Sequence, residues 1–368
     1  IRADYTRPLG EKSKIEVGAE LELDNTDMDY SAADLRGNVW TPNDERTNHF
    51  VFDEDIYALY GTYEAEFGNF GFIGGLRGEI ARIRSKLISA GTIIPNNYSN
   101  LYPTLHTSYH LDEKNELQLN YSLRVNRPEG DDLNPFPEYK DPLNVSSGNP
   151  YLKPEMIHSI ELGYLLKSNA TTFVTTLYYR DIFNRMTEVS KFIDDSVMWT
   201  TKENMSSNQS AGMELILNSA IGKWASIHFN TNVFYDVIDA SDLGFSDKKS
   251  TASWNASLNG NFNVTKNLMT QVNTRFTAKS LTPQGYREPA FILNMGARYN
   301  LLQNKASILF TVSDLLNTYK SVLNIHTPEL VRRLERKRTS QIFYLGFTYH
   351  FGSSSKKKEA TLKYDEHL

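Results

Sequence analysis

The sequence predicts an all-β fold, a transmembrane antiparallel up-and-down β-barrel. Apolar and polar residues alternate with a period of two along most of the chain, as in strands that have one apolar face. Short and long connections alternate between these strands, as turns and loops do at the two ends of an outer-membrane barrel. Tyr and Phe are frequent, with 21 and 19 residues, and such rings form the aromatic girdles of membrane proteins.

The composition excludes several other classes of protein. Mean hydropathy is -0.47, and no apolar run approaches the roughly 18 residues of a transmembrane helix. Barrel strands are only half apolar, so this value is consistent with a barrel. The chain has no Cys, which excludes a disulfide scaffold and a thiolate site. A net charge of -5 gives no basic surface for nucleic acid, and we expect no nucleic-acid partner.

The alternation is clearest in residues 251–264. Trp254 and Leu258 lie on one face of this predicted strand, and Asn255 and Asn259 lie on the other. A soluble sandwich would bury the apolar face against a second sheet, whereas a membrane barrel would expose it to lipid. The alternation alone leaves both interpretations open.

The connections favour the barrel. Short turns are predicted near residues 10–13, 68–69, 112–115, 167–170, 221–223, 265–267 and 303–304. Long polar loops are predicted at residues 25–48, 85–99, 128–154, 188–206, 238–250, 279–288 and 313–339. A meander with all turns at one end and all loops at the other is typical of outer-membrane barrels.

Counting strands gives about 15, an odd number, whereas single-chain bacterial barrels have even numbers. The first strand runs from the loop end, and the last strand, which ends at Phe351, finishes at the turn end. We therefore expect an odd number of strands to precede Ile1. Seven would give 22, as in plugged outer-membrane transporters. Residues 1–352 are predicted to form the barrel, and residues 353–368 a polar C-terminal tail.

Three segments of the chain carry a resemblance to a known family. The first precedes a strand with the sequence Glu-Leu-Gly-Tyr, and its matching residues are Gly148, Asn149, Pro150, Leu152, Lys153, Pro154 and Glu155. The second is residues 310–317, with Asp314 and Asn317, and the third is residues 344–352. These segments resemble TonB-dependent receptors, most closely the Bacteroidetes receptors of the outer membrane beta-barrel group. Residues 310–317 resemble the Asp-Leu-Phe-Asn segment of their penultimate strand, with Leu316 where Phe is usual, and residues 344–352 resemble their closing strand.

The resemblance implies a TonB-dependent transporter in the outer membrane of a Gram-negative bacterium. Its extracellular loops and lumen would take up a nutrient ligand, such as a siderophore, an oligosaccharide or a peptide-like molecule. The implied partners are the lipid bilayer, lipopolysaccharide, the TonB complex and a surface lipoprotein. The N-terminal plug and the TonB-contacting segment of these receptors have no counterpart in this sequence. An enzymatic activity is not expected, because no catalytic set of residues is visible.

Aromatic residues in the predicted long loops are candidates for ligand binding, because their rings can stack on a sugar or hold an apolar group. Packing of one loop on another is the alternative. The candidates are Trp40, Phe136, Tyr139, Trp199 and Tyr286.

Polar residues on the inner faces of the strands are predicted to line the lumen. Glu16, Glu20 and Glu22 share one face of a strand, and Asn255 and Asn259 share one face of another. We expect the glutamates to pair with Lys or Arg from neighbouring strands. An acidic ladder for cationic substrates is the alternative.

No metal site or resident cofactor is predicted. Residues 24–29 place oxygen ligands at alternate positions, but Asp29 stands where a calcium loop needs Gly, and Leu35 where it needs Glu. A solvated acidic loop is the expectation, and calcium bound in extracellular loops is the alternative. His106 and His110 lie on one strand face about 13 Å apart, too far to share a metal.

A basic cluster in the last long loop contains Arg332, Arg333, Arg336, Lys337 and Arg338. It could contact the phosphates of lipopolysaccharide or an anionic ligand, and a solvated loop is the alternative.

Two alternatives to a transporter remain. One is a passive porin or a structural barrel subunit of an outer-membrane complex. The other is a soluble all-β binding protein, in which Trp254 and Phe347 would be buried.

Overall fold

A computed structural model describes residues 1–193, 196–244 and 248–351. The largest sheet has 17 strands, and fifteen of them follow one another along the chain. They are β1 (Arg2–Pro8), β2 (Ser13–Tyr30), β3 (Asn48–Phe67), β4 (Phe70–Leu87), β5 (Thr92–His110), β6 (Asn115–Asn126), β7 (Glu155–Lys167), β8 (Thr171–Phe192), β9 (Met198–Ile221), β10 (Ala225–Asp239), β11 (Lys249–Asn263), β12 (Leu268–Thr277), β13 (Ala290–Leu301), β14 (Ala306–Ser313) and β15 (Ile342–Tyr349).

Each of these strands pairs antiparallel with the next along the chain, from β1 with β2 to β14 with β15. The predicted antiparallel up-and-down arrangement is confirmed. Because residues opposite one another in such ladders share a face, the two-residue alternation extends across the whole sheet and gives it one apolar and one polar side.

One end of the sheet carries only short connections, at residues 9–12, 68–69, 111–114, 168–170, 222–224, 264–267 and 302–305. The opposite end, called the loop end below, carries the other connections. These contain the hairpin Ala33–Arg36 with Val39–Pro42, the pair Glu138–Asp141 with Asn144–Ser146, and a four-stranded sheet of Ser280–Thr282, Gly285–Arg287, Ser321–His326 and Val331–Arg336.

The described helices are short. One α-helical turn spans Gly130–Leu133, and 3₁₀ turns span Asp44–Arg46, Ile88–Ala90, Ser241–Leu243 and Leu302–Asn304. None of the helices in the described residues is long and apolar enough to span a membrane.

Three predicted loops were wrong in their extent. Strand β2 continues to Tyr30, only residues 88–91 separate β4 from β5, and β8 and β9 extend through most of residues 188–206. These extensions are polar, but their backbones continue the ladder hydrogen bonds, so polarity there does not indicate a loop. Strands β8 and β9 have 22 and 24 residues, about twice the 9–11 that cross a bilayer.

The apolar face of the sheet is exposed. Trp254 is 44% exposed, Leu162 50% and Phe347 67%. A soluble sandwich would bury this face against a second sheet. Its expectation that Trp254 and Phe347 are buried is therefore wrong. A broad exposed apolar surface is instead the outer, lipid-facing side of a barrel wall. The polar face is then the lumen side.

A buried apolar cluster lies on the lumen side near the loop end. It contains Phe50 and Phe52 of β3, Ile83 of β4, and Leu133 and Leu152 of the connection 127–154. This contact folds the connection inward across the mouth of the lumen. The predicted tail, residues 353–368, lies outside the described residues.

Candidate functional site

The connection 127–154 is fixed by the segment 148–155. The Gly148 N–H donates to the Asn134 carbonyl at 2.7 Å. A Cβ at Gly148 would lie 2.5 Å from the Asp132 carbonyl oxygen and 2.7 Å from those of Asp131 and Asn134. Only glycine fits this close approach of two backbones.

The next residues anchor the connection to the barrel wall. Pro150, Leu152 and Pro154 are buried, and the Leu152 carbonyl accepts from Asn96 Nδ2 of β5 at 2.5 Å. The Lys153 N–H donates to Asn204 Oδ1 of β9 at 2.8 Å. Asn149 Nδ2 donates to the Lys202 carbonyl, also of β9, at 3.1 Å. Strands of the wall on both sides of the connection therefore hold it.

Glu155 completes the anchor at the start of β7. Its buried carboxylate accepts from the Met186 N–H of β8 at 2.7 Å and from Asn126 Nδ2 of β6 at 2.8 Å. Ladder pairing between β7 and β8 ends just before this point, at Met156 and Phe183, and Asn184 has a φ of 53°. The side chain thus substitutes for a backbone acceptor where the two strands separate.

A cavity of about 730 Å³ lies beside the anchored connection. This volume is within the usual range of small-molecule sites, about 300–1,000 Å³. Its lining comes from the loop end of β2 and β3, from the connection itself, and from the loop end of β8 and β9. Lining residues outside the connection include Tyr30, Arg46, Asn48, Glu188 and Lys202.

The charges around the cavity are mixed. The lining has three cationic residues, Arg46, Lys140 and Lys202, and four acidic ones, Asp131, Asp132, Glu138 and Glu188. Lys202 Nζ lies 2.5 Å from Asp132 Oδ1, and the Arg46 guanidinium lies over the Tyr139 ring at 5.6 Å. The lining therefore presents donors and acceptors without a strong excess of either charge.

One lining residue holds an unpaired acceptor. Asn48 is 3% exposed, and its Nδ2 donates to Asn134 Oδ1 at 3.3 Å. Its Oδ1 is buried and has no hydrogen-bond partner in the described part of the chain. The buried Oγ1 of Thr201, another lining residue, also has none there. Unpaired buried polar atoms are costly and are common at binding sites that a ligand completes.

Two of the five predicted aromatic residues line the cavity, Phe136 and Tyr139. Trp199 lies behind the lining, where its Nε1 donates to Ser147 Oγ at 2.9 Å and its ring faces Lys191 Nζ at 4.7 Å. Trp40 lies apart on the 33–42 hairpin, and Tyr286 lies in the four-stranded sheet with its ring 3.7 Å from Lys279 Nζ. The structure does not bring these last two to the cavity.

Sequence reasoning missed the polar lining residues Asn48, Arg46, Glu188 and Lys202. None belongs to a recognisable motif. The one usable signal is that Asn48, Glu188 and Lys202 lie at polar ends of long strands, where the apolar alternation stops.

The sequence profile of the outer membrane protein beta-barrel family matches residues 1–349. The chain belongs to this family. It is therefore a barrel protein of the outer membrane of a Gram-negative bacterium.

Three solved structures illustrate the likeness. The siderophore receptor PiuA from Acinetobacter baumannii is 14% identical, with a TM-score of 0.66 over 94% of this chain and 54% of that one. The copper transporter OprC is 12% identical, with a TM-score of 0.64 over 95% of this chain and 56% of that one. The ferric-catecholate import receptor Fiu from K12 E. coli is 14% identical, with a TM-score of 0.63 over 92% of this chain and 52% of that one.

The chain thus spans about half the length of these solved proteins. Their identities are low, so the likeness establishes the barrel fold. No curated protein sequence is significantly similar to the chain.

The lumen wall of the barrel carries a chain of ion pairs. Arg77 of β4 contacts Glu20 of β2 at 2.7 Å and also pairs with Glu79. Glu79 in turn pairs with Arg127, whose Nε donates to Tyr98 Oη at 2.6 Å. Glu16 and Glu22 form no ion pair among the described residues. Glu20 therefore has a cationic partner, which lies on β4, two strands along from β2.

Amide side chains line another part of the lumen. Asn259 of β11 accepts from Asn273 of β12, which accepts from Asn294 of β13 at 3.1 Å. Asn255 lies opposite Asn232 of β10. These amide groups make this part of the lumen polar, with Arg275 and Glu214 on the same face.

Asp314 and Asn317 fix the last connection at the loop end. Asp314 is fully buried, and its carboxylate accepts from the Thr318 and Tyr319 N–H groups at 3.0 Å each and from Ser340 Oγ at 2.5 Å. Burial opposes ionisation, but these three bonds hold the pKa of Asp314 below its ordinary value. Asn317 has a φ of 51° and donates its N–H to the Asp314 carbonyl at 2.8 Å.

The predicted acidic loop at residues 24–29 is instead part of β2. Asn25 Nδ2 donates to Asp53 Oδ1 at 2.6 Å, and Asp27 Oδ1 lies 2.9 Å from His49 Nε2. An extended strand turns successive side chains to opposite faces, so the looped arrangement expected of residues 24–29 was wrong. No group of three or more His, Asp or Glu side chains placed to hold a metal ion occurs in residues 1–193, 196–244 and 248–351. Calcium binding elsewhere in the loops stays a prediction.

The predicted basic cluster divides into two parts. Arg333 pairs with Glu288 and Glu335, and Arg332 Nη1 lies 2.9 Å from Met198 Sδ, where burial lowers the pKa of Arg332. Arg336, Lys337 and Arg338 are exposed and form no ion pair within the described residues. These three cations lie just before β15 and its exposed apolar face.

Proposed function

We propose that this chain forms the barrel wall of a TonB-dependent outer-membrane transporter. A nutrient ligand is captured in the extracellular cavity and then passes along the lumen to the periplasm. The observation that carries the proposal is the position of the cavity, which lies between the inward-folded connection 127–154 and the lumen side of the barrel wall. A ligand bound there is already inside the mouth of the barrel.

The lumen wall supports the second step. Below the cavity, the ion pairs around Arg77 and the amide groups around Asn259 give a polar surface whose hydrogen-bonding groups are largely paired with one another. Such a wall does not need the ligand to satisfy it, so it favours passage more than tight retention. The site that binds the ligand most tightly is then the cavity at the mouth of the barrel.

Energy coupling and partners belong to the same proposal. A plug domain would close the lumen, and the TonB complex would move the plug and release the ligand. A surface lipoprotein would cover the extracellular mouth. The exposed cations Arg336, Lys337 and Arg338 would bind lipopolysaccharide phosphates beside the lipid-facing side chains of β15. The barrel would extend to residue 352, and residues 353–368 would form a polar tail.

Uptake in cells tests the transporter against a passive porin. Cells that carry the intact gene are compared with cells in which it is deleted. Accumulation of radiolabelled iron chelates, oligosaccharides and peptides is measured in both, with and without a protonophore. We expect one solute to require both the protein and the proton gradient. Protein-dependent uptake that persists after protonophore treatment would identify a passive pore, and unchanged uptake of every solute would reject transport.

A double variant, Phe136→Ala with Tyr139→Ala, tests the cavity in the same assay. We expect a raised KM for uptake at unchanged amounts of protein in the outer membrane. Trp40→Ala with Tyr286→Ala removes two extracellular aromatics outside the cavity and is the matched control.

A further inference from the structure

We propose that the ligand of the extracellular cavity is a neutral polyhydroxylated molecule, in chemical class a short oligosaccharide. This inference rests on the proposed function, because it names the substrate class of the same site. Three properties of the lining carry it: its charge balance, its mixture of hydrogen-bond donors and acceptors, and its exposed aromatic rings.

The charge balance disfavours a strongly charged ligand. The four carboxylates of the lining would repel a polyanion such as a ferric chelate, and Arg46, Lys140 and Lys202 would repel a polycation. Lys202 is already paired with Asp132. Recognition of a multiply charged ligand uses a surface of one opposite sign, which this lining lacks.

The lining offers both donors and acceptors of hydrogen bonds. Arg46 and Lys140 can donate, and Asp131, Glu138 and Glu188 can accept. A carboxylate or catecholate oxygen of a ligand only accepts, whereas a hydroxyl group both donates and accepts. A polyol therefore matches both kinds of partner at once.

The aromatic rings provide the apolar part of the site. Tyr139 is 54% exposed and Tyr30 62%, and both line the cavity with the half-buried Phe136. Exposed rings are costly in water unless a ligand covers them. A sugar ring has one face of C–H groups that can stack on an aromatic face, while its hydroxyls remain at the edge for hydrogen bonding.

Binding to the purified full-length protein tests the inference. Isothermal titration calorimetry in detergent would compare maltohexaose, cellohexaose, mannohexaose and N-acetylglucosamine hexamer with ferric citrate and with pentalysine. We expect at least one neutral hexasaccharide to bind and ferric citrate and pentalysine not to bind. Tyr139→Ala and Tyr30→Ala should each raise the Kd about tenfold, a loss of roughly 1.4 kcal/mol.

The control variant is Tyr286→Ala, which removes an extracellular aromatic outside the cavity and should leave the Kd unchanged. Tyr30 and Tyr139 are both exposed, so neither substitution should disturb folding. If no neutral hexasaccharide binds, or if binding is insensitive to both variants, the inference is overturned. Binding of ferric citrate or pentalysine that Tyr139→Ala abolishes would also overturn the oligosaccharide class while leaving transport through this site intact.

Discussion

The carboxylate of Glu155 accepts the backbone N–H of Met186 at 2.7 Å, at the point where β7 and β8 stop pairing. Its second oxygen accepts from Asn126 of β6 at 2.8 Å. One side chain thus joins three strands at the extracellular rim. The same residue ends the segment that folds the connection 127–154 into the mouth, so rim stability and cavity shape depend on it together.

Replacing Glu155 with Ala should destabilise the rim. The substitution leaves the Met186 N–H and the Asn126 amide without their acceptor, at a cost of about 1–3 kcal/mol for each unsatisfied group. The unfolding temperature in detergent, monitored by the shift in gel mobility between folded and heat-unfolded protein, would measure the change. Glu22→Ala, an exposed lumen carboxylate without an ion pair among the described residues, should leave the unfolding temperature unchanged. Equal stability of both variants would contradict the role assigned to Glu155.

Gly148→Ala should displace the connection 127–154. The added methyl group would meet the Asp132 carbonyl oxygen at 2.5 Å, and overpacking of this kind costs about 1–3 kcal/mol. Limited proteolysis of the connection measures the effect, and faster cleavage is expected. Gly61→Ala is the matched control, because the nearest atom to its new Cβ is 3.6 Å away. Cleavage of the Gly148 variant at the native rate would show that the backbone of residues 131–134 tolerates a side chain at this position.

Leu162→Lys should destabilise the barrel through the lipid face. Leu162 lies midway along β7 and is 50% exposed on the apolar side of the sheet. A lysine at the bilayer midplane of a barrel costs about 2–4 kcal/mol. Denaturant titration after folding into phospholipid vesicles measures this loss. Gln118 on β6 faces the lumen beside Gly163, so Gln118→Lys should have little effect on stability. A larger loss of stability for Gln118→Lys than for Leu162→Lys would mean that the lipid and lumen faces are assigned the wrong way round.

The connection 314–341 should loosen in acid. Asp314 has a lowered pKa, so its contribution to stability is complete above the unfolded value of about 3.9 and is lost as the pH falls through the folded value. Hydrogen exchange at the Thr318 and Tyr319 amides, corrected for intrinsic rates, should accelerate over that range. Asp314→Asn should exchange fast at all pH values with little pH dependence. A variant as well protected as the native protein at neutral pH would contradict this assignment.

Much of the fold could be predicted from the sequence, because the signals for it are local. The opposite faces of Trp254 and Asn255 follow from the two-residue period of a strand, and the structure exposes the first outward and turns the second to the lumen. Turn positions such as 68–69 follow equally from neighbouring residues. The ends of β2, β8 and β9 could not be predicted, since backbone pairing continues there after the apolar alternation stops.

The sequence by itself determined the strand order, the two faces of the wall and the segments that mark the family. Tertiary structure alone decided where the cavity lies. Asn48, Tyr139 and Lys202 are far apart in the chain and meet only because Leu152 packs on Phe50 and Gly148 fits against the 131–134 backbone. Periodicity records which face a residue takes within its own strand. It carries no information on how an irregular connection packs against distant strands, because that packing depends on the shapes of residues separated by many turns of the chain.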